Sequence, residues 1–377
     1  MKNVLFINYT NILGGAEYVL MDYIYNNHEH NYYIYTSNNK IIVEKYKEIF
    51  GKNKVFFSSR MNIVSIRKNP VKSFFNIIIN LYKIHYLVKK YDISVIYGNN
   101  TLDIVLLTLY KKYINKNIKT ISHIHDIIEK RLYRFYIQKY KNYIDKFIVP
   151  SIATKESLEK VSIDKKKIEV VYNGLSIINK NFNYNNNFIR KTYNIPNDKK
   201  ILCIIGQVCQ RKNQKLFIDI INKINEKNNK YIGIIVGKIS EYHYFNSIKE
   251  NIKYPIIYLG EFNREEIYSK IYPNIDALIL VSDRDPLPTV ILEAMNNNVL
   301  VIARNVDGVN EIIKNKENGI LFNYEDKIED ILLEIEGALE LSKDKINNIK
   351  YNAMKTIEKN FNIENKIKKI NNIINNI

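Results

Sequence analysis

Asp285 and Glu293 stand eight positions apart, where an apolar run at residues 277–281 gives way to a helical pattern. Between them Pro286, Leu287, Pro288 and Thr289 lead from loop to helix, and the two prolines keep that loop from coiling. From Thr289 onward Val290, Ile291, Ala294 and Met295 recur at helical spacing. A helix amino terminus presents unpaired N–H groups and a partial positive charge, which is the chemistry of phosphate binding. A second loop of this kind, Gly206-Gln207-Val208-Cys209-Gln210-Arg211-Lys212, follows the apolar run 200–205. The Lys212 ammonium suits charge-assisted contacts to a phosphate, Gln207 offers only a neutral donor, and Arg211 is a second cation nearby. Near the amino terminus Gly14 and Gly15 join an apolar run at 2–8 to a helix at 16–25, and Glu17 follows directly. Paired glycines there let a backbone approach a ligand with no Cβ in the way. His125 and Asp126 emerge together from the run 119–124. His123, two residues earlier, points to the same side of the strand and reads as structural.

These side chains need a scaffold that brings strand ends together. Apolar runs at 32–36, 55–57, 93–97, 119–124, 146–149 and 168–172 alternate with helical patterns at 69–91, 101–113, 130–143 and 153–160. A second series begins at 200–205 and continues through 231–236, 256–259, 277–281 and 299–303. Strands that are apolar throughout and alternate with helices belong to parallel sheets covered on both faces. At 377 residues the chain suits two such domains. The Asn-rich stretch 177–197 marks the boundary, giving expected domains at 1–176 and 177–355. A helical tail at 356–377 is expected to pack back on the first. In both halves the reactive side chains fall at the carboxyl ends of strands, where open parallel sheets collect ligands.

The stretch from Ser282 to Met295 resembles the loop Ser-x-x-Glu-Pro-(Phe/Leu)-Gly-x-x-x-x-Glu-Ala-Met of the retaining glycosyltransferases of family 4, the group 1 glycosyl transferases. Ser282, Pro286, Leu287, Glu293, Ala294 and Met295 match, and Asp285 stands in place of the first Glu. Gly14-Gly15-Ala16-Glu17 is similar to that family's Gly-Gly-(Ala/Thr)-Glu loop, and His125-Asp126 to its His-Asp step. Gly206, Lys212 and Asn213 match its Gly-Arg-x-x-x-x-Lys-(Gly/Asn) loop, with Gln207 at the arginine. Asn173-Gly174 resembles its domain-junction turn, Asp307-Gly308 with Glu311 its Gly-Gly-x-x-Glu turn, and Asn318-Gly319 with Leu321 its Asn-Gly-x-Leu turn.

The resemblance implies an α/β, GT-B architecture, in which two Rossmann-like doubly wound domains face a central cleft. The first would be the acceptor side and the second the nucleotide-sugar domain. The implied function is transfer of a sugar from a UDP- or GDP-linked donor to a glycan or lipid-linked acceptor, with retention of configuration. Surface polysaccharide or glycolipid synthesis is the implied setting, with no cofactor and no metal. In that reading His125 and Asp285 are catalytic. Gly15, Gly206, Gln207, Arg211, Lys212, Pro286, Leu287, Pro288, Thr289 and Glu293 hold the donor, with Glu293 on the ribose. Gly14, Glu17 and Asp126 face the acceptor. Asp283-Arg284-Asp285 spells Asp-x-Asp, the metal motif of the other glycosyltransferase fold, but its place in the loop argues against that role. Two rivals stand beside this reading: a nucleotide-sugar 2-epimerase of the same fold, and a non-catalytic subunit of a polysaccharide assembly, the latter motivated by Asp285 and Gln207.

Composition bounds the setting. No apolar run approaches the ~20 residues of a membrane span, and the first strand starts almost at Met1, where a signal peptide would lie. Cys203 and Cys209 are too few for a disulfide framework, so a reduced, cytoplasmic protein is expected. The formal charge of +18 is uneven: residues 1–150 hold 23 Lys and Arg against 10 Asp and Glu, the rest 34 against 29. No nucleic-acid module accompanies the basic half. An anionic membrane surface is the expected partner, met peripherally on the inner face through Lys130, Arg131, Arg134, Lys139 and Lys141, with Tyr133 and Tyr136 at the headgroups.

Overall fold

Thirteen strands pair in parallel into two sheets in the computed structural model, which describes residues 1–61, 69–176, 184–323 and 325–377. The chain divides into two units, residues 1–176 with 362–377, and residues 177–361.

The first unit runs Asn3–Asn8 (β1), Gly15–Tyr25 (α1), Asn31–Ser37 (β2), Lys40–Phe50 (α2), Val55–Ser58 (β3), Pro70–Lys90 (α3), Val95–Gly98 (β4), Ile104–Tyr113 (α4), Lys119–His123 (β5), Arg131–Tyr140 (α5), Lys146–Val149 (β6), Ile152–Glu159 (α6) and Ile168–Val170 (β7). The strand order is β3-β2-β1-β4-β5-β6-β7. Alternation along β1 explains why its residues are apolar without interruption. Val4 and Phe6 enter a core built with α1 and α2, while Leu5 and Ile7 enter the opposite core with α3, α4 and α5. The helix α2 is not among the expected elements. Asn39 caps it by accepting from the N–H groups of Ile41 and Ile42, and Ile42, Val43, Tyr46 and Phe50 are its buried side.

The second unit runs Phe188–Tyr193 (α7), Lys200–Ile205 (β8), Gln214–Asn228 (α8), Tyr231–Val236 (β9), Tyr242–Lys249 (α9), Ile256–Gly260 (β10), Arg264–Glu266 (α10), Ala277–Leu280 (β11), Thr289–Asn296 (α11), Leu300–Asn305 (β12), Val309–Ile312 (α12), Ile320–Asn323 (β13), Ile328–Leu339 (α13) and Lys343–Asn360 (α14). Its order, β10-β9-β8-β11-β12-β13, is the doubly wound pattern in which the connection reverses beside the first strand. The reversal falls between β8 and β11 here, and between β1 and β4 in the first unit. Both are the points where such sheets open a crevice at their carboxyl edge.

After α14 the chain returns to the first unit as Ile363–Asn376 (α15). The return lies at 361/362 rather than at 355/356 because α14 is one continuous helix as far as Asn360. Leu175 forms a parallel bridge with Asn362. Gly174 lies against that bridge, where a Cβ would come within 2.6 Å of the Asn362 carbonyl oxygen. Ile370 and Ile374 of α15 are buried with α1 residues Leu20, Met21 and Ile24. Asn371 Oδ1 accepts from Tyr23 Oη at 2.8 Å and from Asn27 Nδ2 at 2.9 Å.

Candidate functional site

In the second unit two loops meet at the β8/β11 reversal. β8 leads into Gly206, and Gly237 after β9 holds a φ of +138°. A Cβ on Gly237 would lie 2.0 Å from the Gly206 carbonyl oxygen, so only glycine lets these backbones touch. The stem of Lys212 passes over Gly206, its Cε 3.5 Å from where a Cβ would stand. Lys212 Nζ then donates to Asp285 Oδ2 at 2.6 Å, and the two side chains are only 14% and 8% exposed. Arg211 is exposed, and its Nη1 donates to the Arg284 carbonyl at 3.1 Å, so both cations of this loop serve the 282–288 loop. Gln207 is half-buried, and its carbonyl accepts from Gln214 Nε2 at 2.9 Å.

The neighbouring charges hold that second loop in place. Asp283 Oδ1 accepts from Arg304 Nη1 at 2.6 Å and from Asn213 Nδ2 at 2.9 Å. Asp307, at a φ of +41°, takes both the Arg284 guanidinium, Nη2 at 2.8 Å, and the Asp285 N–H at 2.8 Å. The two carboxylates of the Asp-x-Asp sequence are thus each matched to a separate cation. Leu287 and Pro288 are buried, Pro286 and Thr289 partly so. Pro288 takes the cap position of α11, and no side chain caps the helix start. One turn into that helix Glu293 pairs with Arg264 Nε at 3.1 Å and accepts from Tyr272 Oη at 3.3 Å. Burial, and then the Glu293 charge, push the Tyr272 phenol well up from its usual value.

In the first unit the ends of β1, β4 and β5 converge. Gly15 is exposed at the start of α1, and Gly14 N donates to Glu17 Oε2 at 2.9 Å, so the Glu17 carboxylate closes the helix start. Glu17 is buried, which raises its pKa. Asn100 Nδ2 donates to Asn8 Oδ1 at 2.5 Å and reaches Glu17 Oε1 at 3.4 Å. Asp103 is fully buried and accepts from the N–H groups of Tyr9 at 3.1 Å and Asn100 at 2.9 Å. Its acid is pushed well up from the usual range by that burial. His125 Nε2 lies 3.4 Å from Asn99 Oδ1, and Asp126 Oδ2 accepts from Thr101 Oγ1 at 3.4 Å.

The His123 and His125 rings stack with centroids 3.9 Å apart, and His123 Nδ1 meets Tyr97 Oη at 2.8 Å. Two imidazolium ions at that separation would repel, and both rings stay neutral. Desolvation lowers His125 to about 3, with the Lys366 ammonium adding to it, and lowers His123 well below its usual value. The unfolded chain therefore binds protons at these positions below the ordinary imidazole pKa, and the folded chain does not. Stability should rise with pH between about 4 and 6.5, by up to about 1.4 kcal/mol per pH unit for each ring. Urea unfolding at a series of pH values checks this, and His125→Asn should reduce the slope.

Several residues that complete these clusters carry no motif. Arg264 and Tyr272 flank Glu293, Asn99 reaches His125, Asn8 bonds to Asn99, and Asp103 takes the Asn100 N–H. The only sequence signal is their place just after an apolar run, or just before the next one. The basic helix α5 packs partly inward. Tyr133 and Tyr136 pack against the core, Tyr136 stacks on Tyr140, and Arg134 Nε donates to the Ile128 carbonyl at 3.2 Å. Both rings are thus partly buried rather than fully presented outward.

Residues 185–356 match the family model for glycosyl transferases group 1, and residues 28–177 match that for glycosyltransferase family 4. The chain is 28% identical over 160 residues to an uncharacterized glycosyltransferase of Methanocaldococcus jannaschii, covering 41% of this chain and 40% of that protein. It is 26% identical over 232 residues to the UDP-Gal:alpha-D-GlcNAc-diphosphoundecaprenol alpha-1,3-galactosyltransferase of Escherichia coli, covering 57% of this chain and 56% of that one. The match thus spans about half the length of these curated relatives. The crystal structure of Anabaena HepE in complex with UDP and glucose superposes with a TM-score of 0.82 at 16% identity, over 100% of both chains. Its fold is the fold found here. By these matches and by its two parallel sheets, the chain belongs to the group 1 glycosyl transferases and has the GT-B fold.

Proposed function

We propose that the chain transfers a sugar from a UDP-linked donor to a glycan or lipid-linked acceptor on the cytoplasmic side of a membrane, with retention of configuration. The observation that carries this reading is the Lys212–Asp285 pair at the β8/β11 reversal, beside the uncapped start of α11. A diphosphate seated there takes the N–H groups of α11 and draws Lys212 away from Asp285. The ammonium then stabilises the charge that builds on the departing nucleotide. Glu293, released from Arg264, accepts from the ribose hydroxyls, and in the first unit the neutral His125 offers an acceptor to a sugar hydroxyl. The UDP in the HepE complex and the diphosphoundecaprenol-linked acceptor in the name of the Escherichia coli relative support the donor and acceptor classes.

Thermal-shift titration with UDP, GDP and their sugar conjugates tests the donor. A rise in Tm with UDP and its sugars is the expected result, and no rise with any nucleotide overturns the reading. Incubation of the stabilising donor with a polyprenyl-diphosphate sugar should then yield a product of the donor's own anomeric configuration by NMR. Inversion would overturn retention, and a 2-epimer formed without acceptor would identify an epimerase instead.

A further inference from the structure

α3 is apolar on two sides. Its inner side is ordinary core: Ile84, Leu87 and Val88 are buried against the sheet, with Ile77 and Leu81 packed beside them. Its outer side carries Val71, Phe74, Phe75, Ile78, Tyr82 and Tyr86, all exposed, with Phe74 at 61%, Phe75 at 58% and Tyr82 at 72%. At 3.6 residues per turn these six fall within about 120° of the helix circumference, a continuous stripe rather than scattered surface residues. An apolar stripe on a helix normally faces protein or lipid. Here the outer side meets solvent along most of a 21-residue helix.

Charge decides among occupants. Lys72, Lys83 and Lys90 lie along one flank of the stripe, Lys89 lies at its carboxyl end, and no Asp or Glu occurs between Val71 and Tyr91. An antiparallel pairing with a second copy of the chain would set these same cations flank to flank. A surface of anionic headgroups over acyl chains meets both features together, with rings in the interface and ammonium groups at the phosphates. No helix among the described residues is long and apolar enough to cross a membrane, so such a contact lies flat.

We infer that the outer face of α3 is a docking surface for an anionic lipid membrane, and that it takes the place of the α5 contact expected from sequence. The surface is independent of the donor chemistry, so its failure and that of the proposed transfer are read separately.

The chain contains no Trp, so Phe75→Trp supplies a single emission reporter. Its emission should shift to the blue on vesicles of equimolar phosphatidylglycerol and phosphatidylcholine, and not on phosphatidylcholine alone. Co-sedimentation with the anionic vesicles should weaken at high salt, because surface charge is screened. The pair Phe74→Ser/Phe75→Ser should lower vesicle partitioning at least about tenfold while keeping the parent melting temperature. Lys72→Gln/Lys83→Gln/Lys90→Gln should weaken binding and flatten its salt dependence. Three outcomes overturn the inference: no binding to anionic vesicles, binding unchanged in the serine pair, or a vesicle-free dimer by sedimentation velocity that the serine pair dissolves.

Discussion

Lys212→Ala should lower kcat for sugar transfer by about 10²- to 10³-fold, the scale set by removing one preorganised group from developing negative charge. Donor affinity should fall less, because α11 still presents its N–H groups to the diphosphate. The substitution also leaves Asp285, 8% exposed, without its cation. A buried acceptor stripped of its partner costs roughly 1–3 kcal/mol, so the Tm of the variant should drop as well. Adding Asp285→Asn separates the two effects. The double variant should regain the Tm, because the uncompensated charge is gone, and stay inactive, because the ammonium and the candidate catalytic carboxylate are both missing. Turnover near the parent rate in Lys212→Ala would place the functional cation elsewhere, with Arg211 first in line because its guanidinium already reaches the 282–288 loop.

Glu293→Gln should weaken donor binding by roughly 10- to 150-fold, corresponding to the 1.5–3 kcal/mol that hydrogen bonds to a charged acceptor contribute. The amide keeps the shape of the side chain and can still accept from Tyr272, so the fold should hold. What it loses is charge, toward the ribose and toward Arg264, which stands 3.1 Å away in the ligand-free chain. Isothermal calorimetry with the stabilising nucleotide measures this directly. An unchanged Kd would remove Glu293 from the donor site. Arg264→Met tests the other half of the pair. If Arg264 only occupies Glu293 until ribose arrives, this variant should bind donor more tightly than the parent, because no ion pair has to be broken.

The strand–helix handovers were legible because each pairs an unbroken apolar run with Gly, Pro or Asn at its end, and that pattern is local. Lys212 could be named as a residue type suited to a diphosphate and Asp285 as a candidate catalytic carboxylate, but their direct pairing could not. They are 73 positions apart and meet only because β8 and β11 are neighbours in the sheet. Arg264 leaves no trace in sequence, since one cation on a three-residue helix resembles any solvated side chain. Asp307 matched a glycine position of the family's turn, and its φ of +41° shows the backbone demand behind that glycine. The helical period of α3 was plain, yet periodicity cannot say which of two apolar sides meets the sheet. For α5 the same limit acted in reverse. Tyr and Lys interleave there as they would at a lipid interface, but packing against the core takes the rings inward.

The return of the chain at Asn362 has a consequence during synthesis. The first unit is not contiguous in sequence: 185 residues, 177–361, are made between its main body and α15. At about 5–20 residues per second this takes roughly 10–40 s. Throughout that interval the sheet of the first unit can form, but the seat of Ile370 and Ile374 beside Leu20, Met21 and Ile24 has no cover. The inserted unit, contiguous and complete, is free to finish first. The nascent first unit meanwhile keeps that apolar seat open, and synthesis of α15 is the step that supplies its cover.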